Sequence, residues 1–374
     1  MSEWKTYKLG ELPILFIDGD RGKNYPKGDD FSEVGHCLFL NAGNVTKNGW
    51  NFDGNVYISE EKDNLLRNGK LERGDIVLTT RGTVGNVVLY SDDIPYKHIR
   101  INSGMVIIRN NNTCYNPYLY QYLRSYSFFK QVQQFQSGSA QPQIPISTLK
   151  KLTISLPPLA EQKRIADILS AIDDKIELNR RINTNLEQQA QALYKSWFVD
   201  ADTTGWGTKK LADFFNVITG KKDANYSTKD GVYPFFTCSQ DILKAPNYSF
   251  EGAAILLAGN GDFNVKRYIG KFEAYQRTYV LIPFEKRYHS FLYLLIKYHL
   301  QEITGGSRGS VIKFITKGNI ADFTFTMPPY SIDEKLSLFD SLFNEIDKNI
   351  TEINNLSTLR DTLLPKLMSG EIKV

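Results

Sequence analysis

Two long stretches of this chain alternate apolar and polar residues with the period of a helix, and each follows a stretch patterned for strands. Residues 159–200 contain neither glycine nor proline. Within them Ile165, Leu169, Ile172, Ile176, Leu186, Leu193 and Trp197 recur at steps of four and three, with Asn179, Asn183 and Ala190 in the remaining places. That is a heptad seam, and asparagines within one cost stability but fix register and partner number. The second stretch opens on Ser331-Ile332-Asp333-Glu334, which predicts a capping box between Ser331 and Glu334. Its seam runs Phe339, Phe343, Ile346, Ile350, Ile353, Leu356 and Leu363, and Pro365 should end or kink the helix before Gly370. A lone helix of this kind would leave its stripe in water. Each therefore needs a partner, either another chain or the other helix, and two matched seams in one chain favour the second. Antiparallel pairing of about 35 residues makes a bar of about 50 Å.

The strand-patterned parts repeat as well. WKTYKLGEL at Trp4 returns as WGTKKLADF at Trp206, with Trp, Thr, Lys and Leu in register. ISTLKKLTISLPPLAEQKR from Ile146 is answered by ITKGNIADFTFTMPPYSIDEK from Ile315. Both end an alternation on Pro-Pro and then enter a helix. A period near half the chain indicates duplication of a whole unit. The expected division is 1–156 globular, 157–205 helical, 206–327 globular and 328–374 helical, an α+β fold with two mostly β globular parts.

Charge follows the same division. Residues 1–156 hold 18 Lys and Arg against 15 Asp and Glu, or +3, and residues 206–327 hold 16 against 10, or +6. The helical segments hold 6 against 8 and 5 against 8, or −2 and −3. The net +4 hides basic globular parts and acidic helices, which suggests two kinds of partner. Three scattered cysteines and four histidines form no CxxC, HExxH or other ligand spacing, so no metal site and a reducing compartment are expected. No apolar run approaches a membrane span and no signal core opens the chain, which points to the cytoplasm.

Candidate chemistry lies in the loops. GDIVLTTRGTVGNVVLY (residues 74–90) reads as strand, turn, strand, and places Thr79, Thr80, Arg81 and Thr83 on a tight turn. Hydroxyls and an arginine there suit base edges and phosphates, or make an ordinary hairpin with a solvated arginine. Arg21, Lys23, Asn24 and Tyr25 stand in a polar loop that also carries four aspartates; Ser137, Ser139 and Gln141 stand in another. The second half offers Lys221, Lys222, Asn225 and Tyr226, then Asn260 and Asn264, then Gln276 and Arg277, and finally Ser307 and Arg308 in a Gly/Ser loop. That last loop reads as phosphate contact or as linker.

The order of parts, the LPPLAEQKRIADILSAIDDKIELNRRI and MPPYSIDEK stretches, the SWF after the first helix and the LLPKLMSGEI near the end resemble the specificity subunits of type I restriction–modification systems. The likeness covers essentially the whole chain. It implies two target-recognition domains, each reading one half of a bipartite, asymmetric site in double-stranded DNA. It implies that the helices pair as an antiparallel coiled-coil spacer and dock methyltransferase subunits, with restriction and translocase subunits joining through the complex. It further implies a cyclic arrangement that brings the second helix back near Trp4. S-adenosylmethionine, ATP and Mg²⁺ would belong to those partners, and this chain would be neither an enzyme nor a cofactor carrier.

Two rival readings remain at this point. Pro-Pro-Tyr at 328–330 resembles the catalytic loop of adenine methyltransferases, but that loop needs Asn or Asp before Pro-Pro, and Met327 has no oxygen to accept a hydrogen bond. A coiled-coil scaffold without DNA function is the other, against which stand the basic, loop-rich halves.

Overall fold

A computed structural model describes residues 4–111, 114–135, 142–261, 263–305 and 314–374. The chain separates into two compact units, residues 1–177 with 354–374 and residues 178–353.

In the first unit the repeated motifs form the two halves of a clasp. Strand Lys5–Lys8 pairs antiparallel with Thr153–Leu156, so Lys5 faces Leu156 and Lys8 faces Thr153. Leu9, 1% exposed, then drops into the core while its N–H donates to the Leu152 carbonyl at 2.8 Å. Between the clasp strands lies an antiparallel sheet in the order Ile14–Asp18, Met105–Asn110, Ile76–Thr79, Val87–Leu89. A three-stranded sheet, Tyr57–Ile58, Cys37–Phe39 and Ile99–Arg100, packs beside it with its last pair parallel. Helices Asn116–Leu123 and Tyr126–Phe135 cover the core.

The second unit repeats the clasp. Gly207–Lys210 pairs with Thr324–Met327, and the Leu211 N–H donates to the Phe323 carbonyl at 3.0 Å. The enclosed sheet has six strands, in the order Phe215–Thr219, Thr278–Pro283, Phe250–Ala258, Val265–Ala274, Tyr233–Phe236, Leu243–Ala245. Helix His289–Tyr298 is buried against it. The repeated sequence motifs are thus the parts that bring the start and end of each globular part side by side.

The central helix, Leu159–Tyr194, starts directly after Pro157-Pro158, which end the preceding strand. Its last turn widens into a π-helical segment, Lys195–Val199, that seats Phe198 against Trp206 with ring centroids 6.3 Å apart. The distal helix is Asp333–Met368. Its start departs from the expected capping box: Ser331 Oγ accepts from the Asp333 N–H at 3.2 Å and donates to the Asp333 carboxylate, not to Glu334. Burial of Ile332, 5% exposed, pulls the first turn in at that residue. Pro365 does not end the helix, which continues to Met368. Three residues of the helix follow Pro365, and the Ser369 N–H donates to the Pro365 carbonyl at 3.0 Å. A Cβ at Gly370 would lie 3.4 Å from the Trp4 indole, so this end of the helix comes back to Trp4 within the first unit.

Seam residues Ile165, Leu169, Ile176, Asn179, Phe339, Phe343 and Ile346 are buried, and Ile172, Asn183, Leu186, Leu193, Ile353 and Leu363 are half-buried. Ile350 is 46% exposed, and Asn349, at 7%, takes the inward place. Polarity explains the exchange. Asn349 donates to Asn183 Oδ1 at 2.9 Å, Asn183 donates to the Ile346 carbonyl at 3.4 Å, and Asn179 donates to Glu352 at 2.7 Å. In this unit positions descend along the distal helix as they rise along the central one. In the first unit Arg360 likewise reaches Asp173, at 3.1 Å.

Each globular part is tied to helix by charge. In the first unit Asp173 accepts from Arg124 at 2.6 Å and from Gln121 at 2.8 Å. In the second, Arg267 grips Asp347 with both terminal nitrogens, at 2.8 and 2.9 Å, and Glu187 accepts from Tyr293 at 2.7 Å and from Lys297.

Candidate nucleic-acid interface

Three turns of the first unit are stitched together at one end. The loop after strand Ile14–Asp18 leans on the turn 102–104, where Arg21 donates to the Ser103 carbonyl at 3.2 Å while pairing with Asp18 at 3.1 Å. That turn in turn accepts from the next: the Gly104 carbonyl takes the N–H groups of Thr80 at 2.8 Å and Arg81 at 3.2 Å. Gly82 then donates to the Pro142 carbonyl at 3.1 Å, and Arg81 forms an isolated bridge with Gln143. Arg21, Lys23, Arg81 and Thr83 are exposed here. Asn24 and Tyr25 are anchors instead: Asn24 donates to the Leu65 carbonyl at 3.2 Å, and the Tyr25 ring stands edge-on to Phe39. Thr79 is buried, with its hydroxyl given to the Thr83 carbonyl, so it braces the turn that presents Arg81. Ser137, Ser139 and Gln141 lie outside the described residues. Sequence reasoning missed Asn102, Ser103 and Gln143, whose neighbours in space are far away in the chain.

The second unit builds an end of the same kind. Gln276 donates through its backbone to the Lys222 carbonyl at 2.8 Å and through its side chain to Asp223 at 2.6 Å. Lys222 lies 4.5 Å from the centroid of the Tyr226 ring and Lys221 lies 5.7 Å from that of Phe250, while Asn225 is exposed. Gly259 donates to the Arg277 carbonyl at 2.8 Å, and Asn260 bridges to Phe314, which is 63% exposed. Asn264 is buried, donating to the Cys238 carbonyl at 2.8 Å, and is a brace like Thr79. Ser307 and Arg308 lie outside the described residues. At both ends a glycine permits the close approach. A Cβ on Gly19 would come within 2.2 Å of the Asn102 carbonyl oxygen, and one on Gly220 within 2.2 Å of the Ala274 and Tyr275 carbonyl oxygens. Gly220→Ala is therefore expected to displace the 274–277 turn at a cost of about 1–3 kcal/mol. Its signature is a lowered unfolding midpoint with an unchanged circular dichroism spectrum, and an unaltered midpoint would contradict it.

The arginines of the globular parts include two contrasting kinds. Arg73, Arg100 and Arg109 are held by carbonyls or carboxylates of their own unit. Arg81 and Arg277 are exposed and make no side-chain ion pair or hydrogen bond among the described residues. A free, planar guanidinium on a braced turn is suited to bidentate recognition. Burial pushes the Cys37 and Cys114 thiols up to about 12, so neither is a thiolate near neutral pH. Burial also lowers His289 to about 4, leaving a neutral ring bonded to the Ala254 carbonyl at 3.0 Å. Among the described residues no group of His, Cys, Asp and Glu could hold a metal ion, and no helix is long and apolar enough to cross a membrane.

Duplicated β-rich parts with cationic loop ends, each followed by a long amphipathic helix, have the makeup of a protein that reads nucleic acid. Residues 1–188 and again 203–356 match the type I restriction modification DNA specificity domain, and the chain belongs to that family. Its domain is one of target specificity, not catalysis. The chain is 39% identical to the EcoDI specificity subunit of Escherichia coli over 175 residues, 45% of this chain and 38% of that subunit. It is 26% identical to the MjaIX specificity subunit of Methanocaldococcus jannaschii over 373 residues, 85% of this chain and 84% of the relative. The crystal structure of the type I S subunit from M. genitalium shares the fold, with a TM-score of 0.60 at 17% identity, covering 98% of this chain and 96% of that one.

Proposed function

We propose that this chain selects a bipartite, asymmetric site in double-stranded DNA and directs methyltransferase subunits to it. Residues 1–156 and 206–327 act as target-recognition domains, and residues 157–205 and 328–374 as the antiparallel spacer on which partner subunits dock. The observation that carries this reading is the pairing of two family matches with two loop ends whose exposed side chains differ. Two unlike reading surfaces in one chain call for two unlike half-sites. Charge supports the division of labour, with basic globular parts for phosphate and acidic helices for protein. An open groove of about 940 Å³ along the distal helix, lined by Asp333, Leu336, Ser337, Asp340, Ser341 and Lys348 among others, is mixed surface of the kind a partner subunit covers. Methyl transfer, restriction and translocation, with S-adenosylmethionine, ATP and Mg²⁺, fall to those partners, which places the complex in the cytoplasm with the genome.

Removing one heptad from each long helix tests the spacer. Seven residues shorten a helix by about 10 Å, close to three base pairs of B-DNA. The expected outcome is a target with the same two half-sites and a shorter gap, read by mapping methylated positions in the host genome. A change in the half-site sequences themselves would contradict the spacer role.

A further inference from the structure

The two reading ends look unrelated in sequence, yet four of their backbone hydrogen bonds correspond. Thr79 donates to the Asn86 carbonyl and Ala258 to the Asn264 carbonyl, both at 3.0 Å. Thr80 donates to Gly104 and Gly259 to Arg277, both at 2.8 Å. Ile144 returns a bond to Thr80 at 3.0 Å, as Ile315 does to Gly259 at 3.1 Å. Met105 closes its turn on Asn102 at 3.4 Å, and Thr278 closes on Tyr275 at 2.8 Å. Gly82 and Gly261 follow with φ of +75° and +73°. The isolated bridges then place Arg81 opposite Gln143 in one unit and Asn260 opposite Phe314 in the other.

This correspondence isolates three places where side chains leave a common frame. They hold Arg81, Gln143 and Gly104 in the first unit, and Asn260, Phe314 and Arg277 in the second. The braces around them are conserved in geometry while these residues differ in size, charge and hydrogen-bonding pattern. We infer that the three places form one reading register used twice, and that the side chains present there select bases of each half-site. This rests on the reading of a bipartite DNA target and adds which residues discriminate. Arginine offers two parallel donors that match guanine O6 and N7, and asparagine offers a donor and an acceptor that match adenine N7 and N6. Arg81 and Arg277 then each read a guanine, from different turns of the frame. Asn260, in the place of Arg81, reads an adenine. Gly104 leaves empty, beside Arg81, the place that Arg277 fills in the second unit. Phe314 supplies an apolar contact of the sort a thymine methyl accepts.

The test exchanges residues along the correspondence in the full chain, assembled with its methyltransferase subunits and assayed on duplexes that vary one base pair at a time. Arg81→Asn is expected to replace guanine by adenine at one position of the first half-site, with guanine preference falling about 5- to 150-fold. Asn260→Arg is expected to do the reverse in the second half-site, and each variant keeps the other half-site and the gap. Arg81→Lys, which retains charge without the fork, should relax the guanine preference without creating one for adenine. A uniform loss of rate on all duplexes with unchanged base preference in these variants would assign both positions to phosphate contact and overturn the inference. A wild-type complex with no sequence preference would instead overturn the proposed function itself.

Discussion

Asp63→Ala is expected to destabilise the first unit by about 3–5 kcal/mol, because it leaves a buried guanidinium without its counter-charge. Asp63 is fully buried and accepts from Arg100, itself 5% exposed, and from Lys70 at 2.5 Å. Arg100 also donates to the Asp63 carbonyl at 2.8 Å and to the Leu66 carbonyl at 3.2 Å, so one charge pair fixes both the helix Glu60–Leu65 and the strand Ile99–Arg100. That strand feeds the 102–104 turn of the reading end. The loss should therefore reach DNA selectivity as well as stability. Thermal unfolding is expected to split, with one transition lowered by roughly 10 °C, since a unit of this size shifts about 2–4 °C per kcal/mol. Burial alone would raise the Asp63 pKa, but the bonds from Lys70 and Arg100 outweigh it and hold it below the ordinary carboxylate value. A depressed carboxyl contributes stability above its unfolded pKa and loses it as pH falls toward the folded one. The wild type should thus soften below about pH 4, and the variant should lack that component. Coincident unfolding of wild type and variant would contradict the assignment.

Asp173→Ala carries the second large effect. Asp173 joins Arg124 from the helix bundle of the first globular part to Arg360 from the distal helix, with all three side chains no more than 21% exposed. Its removal sets two guanidinium groups against each other, at a cost of about 2–4 kcal/mol. Burial raises its pKa and the Arg124, Gln121 and Arg360 contacts lower it further than burial raises it, so this contribution also fades in acid. The reverse change, Arg360→Ala, leaves Asp173 paired with Arg124 and should cost less than half as much. Equal losses from the two variants, measured by denaturant unfolding, would show that the distal helix and not the carboxylate organises the site.

What the sequence made legible was local. Ile165, Leu169 and Ile176 announce their seam through spacing alone, and the two clasps were visible as repeats because their residues carry the same short-range pattern twice. Ile350 misled for an instructive reason: hydrophobicity marked it as inward, but the helix turns Asn349 inward, where Asn183 can satisfy it. Glu334 misled because burial of Ile332 outweighed a capping bond worth about 1 kcal/mol. The parallel pairing of Tyr233–Phe236 with Val265–Ala274 has no sequence signal. Nor does the register of the reading ends, because Thr80 meets Gly104, and Gly259 meets Arg277 and Ile315, across long separations. Arg81, Asn260 and Arg277 could be picked out by type, but Gln143 and Phe314 became visible only beside their bridge partners. Thr79 and Asn264 had the right chemistry for DNA and were turned to holding up those that face outward.

The clasps and the division of the chain also fix an order of completion during synthesis. Residues 178–353 form an uninterrupted unit, whereas the first unit needs residues 354–374, made after them, to cover Ile165 and Leu169 with Leu364, Leu367 and Met368. As the ribosome emits the chain, Lys5–Lys8 waits for Thr153–Leu156, and even the closed clasp leaves an apolar face open until the distal helix arrives. The second reading unit can be whole while the first is still uncovered. The half of the protein that is made first is the half that is finished last.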